Sequence, residues 1–312
     1  MNPNDVLNPE DNYQTVSFLA EGSRSRVYLA NSTTAPGKKF VVKFLREDEY
    51  PDNETAQKQI KHEAECLGAH AKVFVATNVN ASGRPYLITD YIAGKSLKQL
   101  FEEKAMERKA IPADKPIPEK QALQNAASMI KLLLPLMPTL DNMHKAGVLH
   151  LDIRPDKIIL EQTDKETIPR LIGFGRAQWL PWAGREQTVE PAPKPDMYAI
   201  QYSSPEQAME KRCLPTSDYY SYACIMFEAL TGKAPFDGEN ALHLMAQHLK
   251  APIPLVSTTS GIPALKKYDD VLTQCLAKEP HKRYVDGAEL KQILDELIKE
   301  PQGWAAKLFK RG

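Results

Sequence analysis

Gly147-Val148-Leu149-His150-Leu151-Asp152-Ile153-Arg154-Pro155-Asp156-Lys157-Ile158-Ile159-Leu160 is the stretch whose reading decides the fold. It sets His150, Asp152, Arg154, Asp156 and Lys157 between two apolar runs. The 312 residues around it are 42% hydrophobic and 26% charged, enough to bury a full core in one two-lobed domain or two modest ones. Lys+Arg and Asp+Glu balance at 40 each, so no whole-molecule field draws in nucleic acid or anionic lipid, and any partner is recognised locally.

Cys66, Cys213, Cys224 and Cys275 are scattered with no Cys-x-x-Cys, which argues against a disulfide framework and a zinc site. Met1 to Asp5 lacks a basic n-region, and the most apolar stretch, Met129 to Leu140, contains Lys131, Pro135 and Pro138. No signal peptide and no membrane span are expected, and a cytoplasmic setting follows. A non-classical secretion route would leave no mark in these residues.

Outward from the loop, the first third reads as strands and the rest as helices, with a composition shift near Ala93-Gly94. That is an α+β pattern in two segregated lobes. Strands are expected over Tyr13 to Ala20, Ser25 to Asn31, Lys38 to Leu45, Lys72 to Asn78 and Pro85 to Ile92. Helices are expected over Ala56 to His70, Ser96 to Arg108, Glu119 to Lys145, Ser217 to Thr231, Ala241 to Leu249, Leu265 to Ala277 and Ala288 to Ile298. Pro135 and Pro138 predict a kink or a displaced first segment in the longest of these. Gln178 to Tyr202, with its prolines, reads as a long loop. Lys43 interrupts the apolar strand Phe40-Val41-Val42-Lys43-Phe44-Leu45, where an ammonium needs an acidic partner unless the strand lies at an edge.

The loop resembles the catalytic loop of the protein kinase family, His-Arg-Asp-Leu-Lys-Pro-x-Asn, and the rest of that family's pattern occurs in order from Leu19 to Leu297. Leu19-Ala20-Glu21-Gly22-Ser23-Arg24-Ser25-Arg26-Val27-Tyr28 is similar to the glycine-rich loop, with Ala20 and Ser25 in place of two glycines. Glu63 matches the partner of Lys43, Tyr202-Ser203-Ser204-Pro205-Glu206-Gln207 resembles the Ala-Pro-Glu anchor with Arg283 as its partner, and Asp218 matches the helix aspartate that fastens the loop. Local wording such as Pro205-Glu206-Gln207 looks most like the bacterial serine/threonine branch. The resemblance implies a small N-lobe over residues 13–92 and a helical C-lobe over residues 93–299, after an extension over 1–12 and before a basic tail over 300–312. It also implies a catalytic group of Asp152, Lys43, Glu63 and Arg154. ATP or another nucleotide would meet Ala20, Gly22, Val27, Val41, Lys43, Thr89, Asp90, Ile92, Lys157, Ile159 and Gly173.

The departures matter as much as the matches. Leu171-Ile172-Gly173-Phe174-Gly175 stands where relatives carry Asp-Phe-Gly, and Lys157 stands where they carry the loop Asn. Those two positions hold magnesium in active relatives. Glycine offers no side-chain oxygen and an ammonium repels Mg²⁺, so no metal ligand is assigned. The exchange makes the site more positive by roughly two units, the charge of one Mg²⁺. With Arg24 and Arg26 near Lys43 in the family's geometry, ATP is then expected without magnesium; the alternative is that Lys157 turns inward and pairs with Asp152. Leu151 replaces the arginine that reads a phosphorylated activation loop. The leading expectation is a pseudokinase, a regulatory or scaffolding module that binds a protein partner. The alternative is a weak or metal-independent serine/threonine kinase acting on a protein substrate with Asp152 as base. A third, transfer of another group from ATP bound differently, stays open. Trp179 and Trp182 either offer aromatic surface to a partner or pack onto the large lobe, the commoner outcome.

Overall fold

The computed structural model describes residues 7–8, 10–69, 75–110, 117–184 and 197–299. The chain divides into two compact units. Unit 1 comprises Met1–Ile92, Ala146–Val148 and Phe174–Pro193, and unit 2 comprises Ala93–Lys145, Leu149–Gly173 and Lys194–Gly312. The expectations for Met1 to Asp5 and for the tail over 300–312 lie outside the described residues.

Unit 1 is built on an antiparallel sheet of β1 (Tyr13–Glu21), β2 (Ser25–Ser32), β3 (Lys39–Leu45), β4 (Val75–Val79) and β5 (Pro85–Asp90), in the order β1-β2-β3-β5-β4. Strand alternation sorts β3 into two faces. Phe40, Val42 and Phe44 bury with Tyr28, Ala30, Tyr86, Ile88 and Leu7. Leu45 buries on the other face with Tyr50, Ala56, Ile60 and Leu87, so that Lys43 and Leu45 share the side covered by α1 (Asn53–Gly68). α1 starts three residues before the expected Ala56 because the Asp52 side chain accepts the Thr55 N–H at 2.7 Å, a cap that hydrophobic periodicity does not register. The described part of the N-terminal extension is tied down: Leu7 is buried, Asn8 N–H donates to the Tyr86 hydroxyl at 3.2 Å, and Asp11 accepts from Asn78 at 2.6 Å.

Unit 2 is mainly helical, with α2 (Leu97–Ala110), α3 (Glu119–Leu133), α4 (Leu136–Lys145), α5 (Met197–Ile200), α6 (Pro205–Ala208), α7 (Pro215–Thr231), α8 (Ala241–Lys250), α9 (Val256–Ser260), α10 (Asp269–Cys275) and α11 (Gly287–Lys299). β6 (Gly94–Ser96) precedes α2, β7 (Val148–Leu149) lies where the chain divides, and β8 (Ile158–Gln162) pairs with both β6 and β9 (Thr167–Leu171). α7 is buried on nearly every side, as a helix at the centre of a helical unit must be. The chain breaks at Pro135 between α3 and α4, as the prolines predict. Pro138 falls in the first turn of α4, where its missing N–H costs nothing.

Two expectations are corrected, and one strand is added. Leu265 to Ala277 is not one helix but a 3₁₀ turn, Pro263–Tyr268, followed by α10, and Asp269 at their junction accepts the Ser257 N–H at 3.0 Å. β9 goes unread in the sequence because Pro169 demotes the run; it is tolerated on what is the edge strand of its sheet. The tryptophans divide: Trp179 is 2% exposed in β10 (Gln178–Trp179), while Trp182 is 63% exposed.

Glu206 at the start of α6 meets Arg283 through two hydrogen bonds of 2.7 and 2.8 Å, both side chains almost fully buried. Burial pushes the Glu206 carboxyl up, but the guanidinium outweighs it and holds the group below the usual carboxylate range. Its stability contribution is therefore complete above the ordinary pKa of an unfolded glutamate and is lost as pH falls through the depressed folded value. Arg283→Ala, which strands the carboxylate, is expected to cost about 3–5 kcal/mol in chemical denaturation at neutral pH. The loss should shrink as the medium is acidified below the carboxylate range.

Candidate active site

The catalytic-loop residues lie in unit 2, and the loop is hung from α7. Asp218, buried near its N-terminus, accepts the backbone N–H groups of His150 and Leu151, each at 2.9 Å, and a third hydrogen bond from His144 Nε2 at 2.9 Å. Burial alone would raise the Asp218 pKa, but His144 and the backbone donors outweigh it and hold the group ionised below its ordinary value. His150 has no exposed surface, and burial lowers its pKa, keeping the imidazole neutral. That one tautomer serves both neighbours. Nε2–H donates to the Ile172 carbonyl at 3.2 Å and Nδ1 accepts the Asp152 N–H at 3.2 Å. Leu151 is forced to φ +58, a left-handed conformation that a non-glycine residue adopts only where its surroundings hold it. The Gln207 side chain supplies part of that hold by donating to the Leu151 carbonyl at 2.9 Å.

Beyond Leu151 the charged groups compensate one another. Arg154 Nε is 3.1 Å from Asp152 Oδ1 and 3.2 Å from Asp156 Oδ1, at ion-pair distance from both carboxylates, and its guanidinium lies over the Tyr198 ring at 5.4 Å. Lys157 Nζ is 3.6 Å from Asp156 Oδ2. No ion pair joins Lys157 to Asp152, so the inward-turned alternative is not the arrangement adopted.

Gly173 explains where Lys157 goes. Its φ is +82, a conformation that disfavours any side chain, and a Cβ built there would meet Lys157 Cδ at 2.9 Å and Nζ at 3.6 Å. The lysine stem thus fills the room in which an aspartate at position 173 would begin. The backbone supports the same register, Ile172 N–H donating to the Lys157 carbonyl at 2.9 Å. Position 159 continues from this loop into β8, where Ile159 pairs with Ser96 on one side and Arg170 on the other.

Unit 1 carries the other expected residues. Lys43 Nζ lies 2.7 and 2.6 Å from the two carboxylate oxygens of Glu63, whose side chain is 3% exposed. Strand register brings Ala20 opposite Val27, Val27 opposite Lys43, and Val41 opposite Thr89. Gly22 N–H closes the β1–β2 hairpin on the Ser25 carbonyl at 2.9 Å. Asp90 is 3.5 Å from Lys38, and Ile92 ends the segment. Arg24 and Arg26 have partners of their own within unit 1. Arg26 meets Glu21 at 3.3 Å, and Arg24 donates to the Tyr50 hydroxyl at 3.1 Å and to the Gly175 carbonyl at 3.2 Å. Gln59 of α1 donates to the same carbonyl at 3.1 Å, and His62 Nε2 is 2.8 Å from the Ala177 carbonyl. Gly175 lies against the ion pair, a Cβ there falling 3.1 Å from Lys43 Nζ.

Sequence reasoning misses four of these supports, His144, Tyr198, Gln59 and His62, because each acts across a long sequence separation with no motif of its own. Gln207 leaves a trace, since Ser204-x-x-Gln207 is a capping-box pattern, and the box forms. A magnesium ion does not fit the two positions at which relatives ligate it, since Gly173 has no side-chain ligand atom and Lys157 is cationic.

Comparison with known sequences agrees with the motifs, the pattern of the Protein kinase domain matching residues 13–297. The chain belongs to the protein kinase family. It is 27% identical over 308 residues to the probable serine/threonine-protein kinase CE0033 of Corynebacterium efficiens, covering 95% of this chain and 43% of that protein. It is also 27% identical over 292 residues to the serine/threonine-protein kinase PknB of Mycobacterium leprae, covering 91% of this chain and 42% of that one. The chain thus spans less than half the length of these relatives. No helix among the described residues of this kinase domain is long and apolar enough to cross a membrane.

The contact between positions 157 and 173 is testable without any activity. Gly173→Ala is expected to cost about 1–3 kcal/mol in thermal unfolding, from the left-handed backbone and the crowded lysine stem. In a Lys157→Ala background the crowding disappears while the backbone strain remains. A double-mutant cycle should therefore show coupling between the two sites of about 0.5 kcal/mol or more.

Proposed function

We propose that this kinase domain is a pseudokinase: a regulatory or scaffolding module that engages a protein partner and holds ATP without magnesium. The observation that carries the reading is the Lys157 stem lying over Gly173, in the space an aspartate side chain would need. In other phosphoryl-transfer enzymes a single cationic group at the transferring phosphoryl is worth roughly 10³ to 10⁵ in rate, so losing the ligands of both magnesium ions is expected to remove most of the transition-state stabilisation. ATP use is implied by the family, and the residues expected to hold its phosphates are Lys43 and Lys157. Each is positioned by its own neighbouring acid, Glu63 and Asp156. Lys157 brings fixed positive charge to the position at which relatives hold a magnesium ligand, with no ion to recruit.

Asp152, Lys43 and Glu63 also support a second reading, a weak or metal-independent serine/threonine kinase. Asp152 sits on a loop held by Asp218, and the Lys43–Glu63 pair is formed. In that case Asp152 orients the hydroxyl of a protein substrate and accepts its proton, while the two lysines hold the phosphates.

Labelled ATP with a generic protein substrate, in Mg²⁺, Mn²⁺ or excess chelator, separates the readings. The expected result is no transfer above that of Asp152→Asn in any of the three. Transfer that depends on Asp152 would establish the enzyme instead. Thermal-shift titration with ATP in chelator should raise the unfolding temperature, and Lys157→Ala should abolish most of the shift. A shift that requires added Mg²⁺ would remove the metal-free reading.

A further inference from the structure

The two carboxylates of the catalytic loop are not neutralised alike. Asp156 meets two cations, Arg154 at 3.2 Å and Lys157 at 3.6 Å, whereas among the described residues Asp152 meets Arg154 alone, at 3.1 Å. Both members of that second pair are nearly withdrawn from solvent, the Arg154 side chain 12% and the Asp152 side chain 9% exposed. Whatever keeps Arg154 in place therefore decides whether Asp152 is accessible. A guanidinium, unlike an ammonium, can pair with carboxylates along its edge while presenting a flat face to an aromatic ring.

Tyr198 supplies that ring. It stands on α5, far along the chain from the loop, and its ring centroid lies 5.4 Å from the Arg154 guanidinium carbon. The ring is itself held from two sides of unit 2. Lys98 of α2 reaches it at 4.8 Å, and Tyr202 meets it edge-on with centroids 5.5 Å apart. Burial pushes the Tyr198 hydroxyl up, and the nearby Asp156 carboxylate adds to this, so the ring stays neutral at physiological pH. The face of a neutral aromatic ring attracts a guanidinium, most strongly where water is excluded. An aliphatic side chain of similar size would cover Arg154 without attracting it.

We propose that Tyr198 is a positioning residue: its ring clamps Arg154 onto Asp152 and withholds that carboxylate from the hydroxyl of a protein substrate. A hydroxyl approaching Asp152 Oδ1 meets a guanidinium already there, and Oδ2 shares the charge that the pair compensates. The clamp deepens the pseudokinase reading, on which it rests, by adding a block at Asp152 that does not depend on magnesium. Gly173 and Lys157 remove the metal ligands, while Tyr198 and Arg154 occupy the base. The two blocks lie on different side chains and are separable by substitution.

Chemical labelling of the full chain tests this. An arginine-selective dicarbonyl, with the modified sites located by mass spectrometry, should react many times more slowly at Arg154 than at Arg170, whose side chain is 49% exposed. Tyr198→Leu should raise the Arg154 rate several-fold and leave that of Arg170 unchanged, while Tyr198→Phe, which keeps the ring, should behave as the unsubstituted protein. Asp152, labelled in parallel with a carbodiimide and an amine, should react faster in Tyr198→Leu and in Arg154→Gln. Equal Arg154 rates with Tyr, Phe and Leu at position 198 would reduce the ring to a space-filler and overturn the proposal, as would an Asp152 rate that ignores both substitutions. Should Tyr198→Leu fail to unfold cooperatively, Tyr198→Met carries the same comparison. The transfer assay keeps the clamp and the pseudokinase reading distinguishable. If the unsubstituted protein shows Asp152-dependent transfer, that reading fails, and the clamp then predicts that Tyr198→Leu raises kcat with little change in KM; an unchanged or lower kcat would overturn the clamp as well. If transfer is absent, the labelling decides alone.

Discussion

Asp218 is a buried carboxylate that has exchanged water for three protein donors, and the geometry of the whole 150–157 loop depends on it. Two of its hydrogen bonds come from consecutive backbone N–H groups, His150 and Leu151, so the loop can take only the local path that points both at one carboxylate. That path puts Leu151 at positive φ, a strain of about 1–3 kcal/mol that an isolated loop would relieve by moving. It does not move because the acceptor is fixed in the best-buried helix of unit 2. Removing the carboxylate would free two donors inside the protein, each costing about 1–3 kcal/mol, and release the strain together. The positions of Asp152 and Lys157 are thus consequences of an interaction that touches neither.

Gly173 belongs to the same account. Glycine at a left-handed position lets the backbone turn, and here it also leaves room for the neighbouring lysine. The Lys157 stem lies on the Cβ side of Gly173, so a side chain at 173 has to displace the flexible end of the lysine. Restoring an aspartate at 173 while Lys157 remains would introduce a strained, crowded side chain beside an ammonium. Restoring an asparagine at 157 alone would leave the position without the carboxylate. Neither substitution recovers a magnesium ligand set, and the two positions are best treated as one feature.

How much of this is legible in the sequence differs with the range of the interaction. Lys43 can be read from its strand because an ammonium in an apolar run demands a partner, and the buried Glu63 supplies it. The break at Pro135 can be read because a missing N–H is a local fact. The α1 cap, the β9 strand carrying Pro169 and the two-part 263–275 segment are harder, since each turns on one side-chain hydrogen bond or one edge position rather than on periodicity. The courses of Arg24 and Arg26 cannot be read at all. The family's geometry puts both near Lys43, but no motif says that Arg26 meets Glu21 while Arg24 meets Tyr50 and the Gly175 carbonyl. Which acceptor a long flexible side chain chooses is decided by what the rest of the fold brings within reach.

Arg24, Gln59 and His62 also bear on how unit 1 holds its ion pair. All three end on the 175–177 backbone, and Gly175 lies against Lys43 and Glu63. The backbone that lies against the pair is therefore held from within unit 1. Such a pair is a structural asset whether or not it is used in chemistry, because losing either partner would leave the other charge nearly buried. Retention of Lys43 and Glu63 is for that reason weak grounds for activity. The discriminating positions are those where a structural role and a catalytic role demand different residues. At 157 and 173 the chain carries a lysine whose stem lies against a glycine, and neither side chain offers a ligand atom for a hard cation.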